Sequence, residues 1–285
     1  MNETTTAPPA APTVAPRAGR DLPSSLRLGW ARAGIELKMF FRERDSAIFI
    51  FAFPIILLVI FGSIFSGRFE GTGITVSQVY VAGLLGAGVM TAFQSLAIGI
   101  AVDREDGTLK RLAGTPLPRQ AYFFGKAVQV LVSAAIQAAV LLAIGFTRYD
   151  LPAPADAGAW LTFAWVALLG IVGSALLGIA ASSVPRSAKS ASAVITMPFV
   201  ILQFISGVFI PLAELPEWVV RIASFFPLKW MCQGFRSVFL GDAGASLEPA
   251  GSYELDRVAL VLGAWVIGGF VLCLTTFRWK GRRDG

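Results

Sequence analysis

Six stretches of this chain contain no Asp, Glu, Lys, Arg or His: residues 48–65, 76–102, 127–146, 160–183, 190–212 and 258–277. At 1.5 Å per residue, an apolar helix of about 20 residues crosses roughly 30 Å of hydrocarbon. In that medium every backbone N–H and C=O must be paired within the chain, so helices are the natural spanning form for runs this long. The expected fold is therefore all-α: a polytopic membrane protein with six transmembrane helices. Charged residues make up 15% of the chain, against about 25% in soluble domains. Gly83, Gly86 and Gly88 interrupt the second run, while Pro54 and Pro198 fall inside the first and fifth. Spanning helices tolerate such residues because their neighbours re-satisfy the freed backbone groups.

An even number of spans puts both termini, the whole second-to-third loop (103–126) and the fourth-to-fifth loop on one side. Those segments hold 18 of the 24 Lys and Arg against 9 acids, and the other side holds 6 bases and 9 acids. Excess positive charge marks the cytoplasmic side. Residues 1–23, rich in Pro, Ala and Thr without an apolar h-region, read as a disordered cytoplasmic tail rather than a cleaved signal. Residues 24–285 form the transmembrane domain.

Ahead of the first span, Leu26, Trp30, Ala33, Leu37, Phe40 and Phe41 recur at helical spacing. Arg27, Arg32, Glu36, Lys38, Arg42 and Glu43 lie off that face, which predicts a helix lying in the inner membrane interface. Leu28, Ile35 and Met39 form a second apolar stripe that suits packing on the bundle or a partner. Residues 213–257 are far longer than a turn needs. Their Leu215-Pro216-Glu217-Trp218 reads as a helix start, and 225–241 is too short and too charged to cross. A broken, re-entrant external pair against the bundle is expected, with a plain external loop as the alternative.

The runs lack the titratable groups by which proton- and ion-coupled transporters work. No paired carboxylates, nucleophile–base pair or metal-ligand spacing is present, so no catalytic residue and no metal is expected. Cys232 and Cys273 read as packing residues. Gly125-Lys126 lacks the surroundings of a phosphate-binding loop, so any ATP used must be bound by another polypeptide. Among uncharged polar residues, Thr91, Gln94, Ser95, Gln203 and Ser206 are candidates to line a pathway. Gln129, Ser133, Gln137 and Thr196 read as interhelical hydrogen-bonding groups. Gly170, Ser174 and Gly178 form a small-residue face for close helix packing.

One loop stands out. Asp103, Glu105 and Asp106 precede Thr108-Leu109-Lys110-Arg111-Leu112, which predicts a short helix with acids at its front and bases at its rear, as its dipole favours. Gly114, Pro116 and Pro118 stop it. Leu109 and Leu112, three apart, are expected to seat in a partner's groove.

Here the sequence resembles the permease subunits of type-2 ATP-binding-cassette exporters, including drug-resistance permeases of the daunorubicin-exporter kind. Arg104-Glu105-x-Gly107-Thr108-Leu109-x-x-Leu112-x-x-Thr115-Pro116 is similar to the family's loop after the second span. Arg119 and Gly125-Lys126 fit the entry to the third span. FFRERDSAIFIFAFPIILLVIFGSIF resembles the first span with its lead-in, and the piece from Pro227-Leu228 to Arg236 resembles the external segment before the last. Lys110 stands where members often have an acid.

The resemblance implies a pathway of two permease chains, identical or not, and two copies of a cytoplasmic ATPase that carry ATP and Mg. No cofactor binds directly to this chain. Arg104, Glu105, Gly107, Thr108, Leu109, Leu112, Thr115 and Pro116 would form the coupling element seated in the ATPase. The expected function is export of an amphiphilic drug, antibiotic or lipid across a bacterial cell membrane, with membrane lipids as further partners and no nucleic acid. Export of a lipid-linked glycan and a standalone secondary transporter or channel are the alternatives.

Overall fold

The computed structural model describes residues 24–65 and 67–277, so the expected N-terminal tail lies outside it. The described residues are helical, with one isolated antiparallel bridge between Arg68 and Thr75. In chain order the helices are α1 (Ser25–Arg42), α2 (Arg44–Ile64), α3 (Val76–Glu105), α4 (Thr108–Ala113), α5 (Arg119–Arg148), α6 (Ala157–Ala181), α7 (Ala188–Ile205), α8 (Glu217–Phe225), α9 (Pro227–Leu240) and α10 (Leu255–Thr276). Six of them, α2, α3, α5, α6, α7 and α10, are long and apolar enough to cross a membrane.

Local chemistry sets several of these boundaries. Thr75 accepts from the Gln78 amide while Gln78 Oε1 accepts from the Thr75 amide, a capping box that starts α3. Ser187 and Ser190 do the same for α7. Asp156 caps α6 through the Ala159 amide at 2.7 Å. Pro54 and Pro198 sit inside α2 and α7 without ending either helix. The fifth run was expected to reach 212, but its helix ends at Ile205. Gly207 there adopts φ +79°, a left-handed conformation that glycine enters without a Cβ penalty.

The buried helix is α3, which packs on α2, α5, α6, α7 and α9, while α10 closes against α6 and α9. The small face of α6 makes this packing possible. A Cβ on Gly170 would lie 2.6 Å from Met231 Sδ, and one on Gly178 2.6 Å from the Phe93 carbonyl. Ser174 donates its hydroxyl to Met90 Sδ at 3.3 Å. Gly178→Leu is therefore expected to force α6 off α3 and destabilise by about 1–3 kcal/mol, the usual cost of overpacking. The check is the thermal denaturation midpoint in detergent.

The first helix corrects the sequence reading. It packs on α5, and the residues it buries are Gly29, Arg32, Ala33 and Glu36. Two of the charges expected to face solvent are thus inside, because small residues at Gly29, Ala33 and Gly125 let the backbones approach: a Cβ on Gly125 would sit 3.2 Å from the Ala33 amide. The apolar residues Leu26, Trp30, Phe41, Ile35 and Met39 are exposed instead. They flank the buried face on both sides, and such exposed apolar residues suit a membrane interface.

Candidate functional site

Both described chain ends, α1 and α4 gather at one face of the bundle; Phe277 at the end of α10 packs edge-on against Phe123 near the start of α5, at 5.1 Å between ring centres. Between α3 and α5 at this face stands α4. Its entry needs Gly107, whose φ of +77° turns the chain after α3. The Asp106 carboxylate accepts from the Thr108 amide at 2.9 Å, so one acid does serve the front of the short helix. Asp103, Arg104 and Glu105 do not: they form the last turn of α3.

These three residues instead bind the chain's own helices. The Arg104 guanidinium donates to the Ser182 carbonyl at 2.7 Å and to its hydroxyl at 3.3 Å, capping the end of α6. The Glu105 carboxylate accepts from the Ala188 amide at the first residue of α7. The end of α3 is therefore tied to both sides of the α6–α7 turn. Leu109 also turns inward: it is fully buried with Leu96, Ile100 and Tyr122, which removes it from any groove of a partner. Leu112 is half-buried, and Lys110, Arg111, Gly114, Thr115 and Pro116 are exposed. Thr108 accepts from Arg111 at 3.1 Å, and the Thr115 hydroxyl donates to the Leu112 carbonyl at 2.7 Å, which stiffens this outward surface.

Directly behind α4 lies a charge cluster that sequence reasoning missed. Lys126 of α5 sits 3.0 Å from Glu36 of α1 and 2.9 Å from Asp103 of α3. Arg32 pairs with Glu36 one turn along α1. The Tyr122 hydroxyl donates to Asp103 at 2.7 Å, and the Arg32 guanidinium lies over the Tyr122 ring at 5.4 Å. All four charges are buried, from 3% to 9% exposed. Two cations and two anions balance, the condition under which such burial is tolerable. The cluster locks α1, α3 and α5 together at the foot of α4.

The candidate pathway residues separate. Gln94 of α3 donates to the Thr196 hydroxyl of α7 at 2.8 Å, and Thr91 donates to the Gly88 carbonyl within its own helix. Both are half-buried, as is Ser95. Gln203 and Ser206 are buried, and Ser206 is the cap of α7 rather than part of its helix.

At the opposite face, the segment before α10 forms a broken pair, α8 and α9, meeting at Phe226. Nearly all of α9 is buried, charged residues included. Arg236 pairs with Glu248, with Nη2 to Oε2 at 3.1 Å, and donates to the Gly207 carbonyl at 3.0 Å. Gln233 donates to the Tyr253 carbonyl, and the Tyr253 hydroxyl to the Gly241 carbonyl, both at 2.8 Å. Burial, and after it the Glu248 carboxylate, push the Tyr253 phenol above its usual range, so it remains a donor. Among the described residues no group of His, Cys, Asp and Glu could hold a metal ion.

Six crossing helices with α3 buried among them, a braced short helix at one face and a broken pair at the other define a polytopic helical membrane protein built as a transport permease. The chain belongs to the ABC-2 type transporter family, whose profile matches residues 30–240. It is 29% identical to the probable multidrug ABC transporter permease YbhR of Escherichia coli K12, over 53% of this chain and 40% of that protein. It thus aligns with less than half the length of that relative. It is also 29% identical to the putative transport permease ycf38 of Porphyra purpurea, over 77% of this chain and 78% of that protein.

Proposed function

We propose that this chain is the membrane subunit of an ATP-driven exporter of amphiphilic compounds, drug or lipid, working with a second permease chain and two copies of a cytoplasmic ATPase. ATP and Mg then belong to the ATPase. The face that carries α1, α4 and both described ends is the cytoplasmic face of a bacterial cell membrane. The observation that carries this reading is the bracing of α4. An exposed, short helix follows an α3 terminus that Arg104 and Glu105 tie to α6 and α7. A push on α4 thus reaches three spans at once, which is what a motor outside the membrane requires. The relation to a named multidrug permease supports the amphiphilic substrate.

The test is co-expression with a candidate ABC ATPase and flux from proteoliposomes. Leu112→Asp, at the half-exposed edge of α4 where it packs on the Leu109 and Tyr122 cluster, is expected to abolish ATPase co-purification. Glu105→Gln is expected to keep co-purification but cut ATP-dependent flux about tenfold, the equivalent of one charge-assisted hydrogen bond. Unchanged flux and unchanged co-purification in both variants would count against the proposal. So would full uphill flux from the chain alone.

A further inference from the structure

One lysine lies where the crossing helices otherwise carry no charge. Lys229 is in the first turn of α9 and only 4% exposed. Its neighbours fix its level in the bundle. A Cβ on Gly86, well inside α3, would lie 3.1 Å from the Cys232 amide, and Gly170 at the middle of α6 meets Met231. Because α9 runs from the interior toward the face where Leu240 packs on Ile74 and Val79, Lys229 lies deeper than either contact. The α8–α9 break is deep as well: the Phe225 carbonyl accepts from Trp265 Nε1 at 2.9 Å, and Trp265 is midway along α10.

The ammonium has no carboxylate within ion-pair distance among the described residues. The acids whose fields reach it are already engaged, Glu248 by Arg236 and Glu254 by Arg257. What holds it is the Trp230 ring, with Nζ 3.6 Å from the ring centre. Trp230 is itself pinned by its indole N–H to the Ser224 carbonyl, ahead of the break. The same point is the N-terminus of α9, where Phe226 supplies no capping side chain and Pro227 has no N–H to offer. An unpaired cation inside a bundle is costly and marks a functional position. A half-helix N-terminus near the membrane middle is an arrangement by which transporters receive anionic groups.

We propose that Lys229 and the N-terminus of α9 form a recognition site for the phosphate or carboxylate head of an amphiphile. The amide groups of Leu228 and Lys229 and the ammonium supply donors and charge, and the Trp230 ring holds the ammonium in place. The alkyl portion lies among the apolar side chains of the spans. This inference rests on the exporter reading and narrows its substrate to anionic amphiphiles.

The full chain in phosphatidylcholine nanodiscs is titrated with dodecyl phosphate, following tryptophan fluorescence and the thermal denaturation midpoint. The expected result is saturable binding and a raised midpoint. Lys229→Met should weaken binding by about tenfold or more, as loss of a charge-assisted contact implies, whereas Lys229→Arg should restore most of it. Phosphatidylglycerol in the nanodisc that competes identifies a membrane lipid as the source. Its failure to compete identifies a transported solute, and either outcome supports the site. Equal binding to wild type and Lys229→Met overturns the proposal, as does equal protection by inorganic phosphate alone. No ATPase takes part in this titration, so failure of the exporter reading would appear separately, in the flux measurement.

Discussion

Lys126→Met is expected to destabilise the protein by about 3–5 kcal/mol, the usual cost of removing one partner from a buried ion pair. The lysine answers two carboxylates on two different helices, Glu36 and Asp103. Without it, Arg32 still pairs with Glu36, while Asp103 keeps the Tyr122 hydroxyl but loses its ion pair, so α3 carries a stranded charge in the interior. The penalty comes from the stranded charge rather than from the lost attraction. A double variant, Lys126→Met with Asp103→Asn, should therefore denature at a higher temperature than the single one. This non-additivity is the signature of direct contact. If the second substitution lowers the midpoint further, the charges are not what makes the lysine important.

The second large effect is expected at the opposite face. Arg236→Leu strips Glu248 of its partner at 3% exposure and removes the donor to the Gly207 carbonyl, where α7 has just ended. A loss of about 3–5 kcal/mol is again expected, visible as a lowered midpoint in detergent. Replacing both Arg236 and Glu248 with leucine should recover most of it, since well-packed apolar residues often substitute for a buried pair at little cost. A loss for Arg236→Leu within about 0.5 kcal/mol, the range of surface changes, would mean that the pair does not hold α9 in place.

The spans were legible because hydrocarbon leaves a chain so few options. Each run declares itself by length and lack of charge, and α6 displays its packing face through Gly170, Ser174 and Gly178. What hid was the interior charge. Arg32, Glu36, Asp103 and Lys126 all fall at or beyond the ends of the apolar runs, where charge ordinarily means water. Their burial depends on three helices converging, which no local window reports. A faint signal did exist: Gly29, Ala33 and Gly125 are small residues that allow α1 to lie close on α5. The acid-to-base order around α4 misled for the same reason. Asp103, Arg104 and Glu105 continue α3 by one more turn, and their partners Ser182 and Ala188 are far away in sequence. Leu109 was expected to face a partner because spacing alone does not say which side of a short helix is covered.

The cluster at the foot of α4 bears on biosynthesis. A ribosome delivers α1 well before α5, and the helix surface that buries the Arg32–Glu36 pair, with Lys126 upon it, exists only two crossings later. The first helix must wait at the membrane surface, held by Trp30 and its other outward apolar residues, and dock only after the third crossing has been threaded.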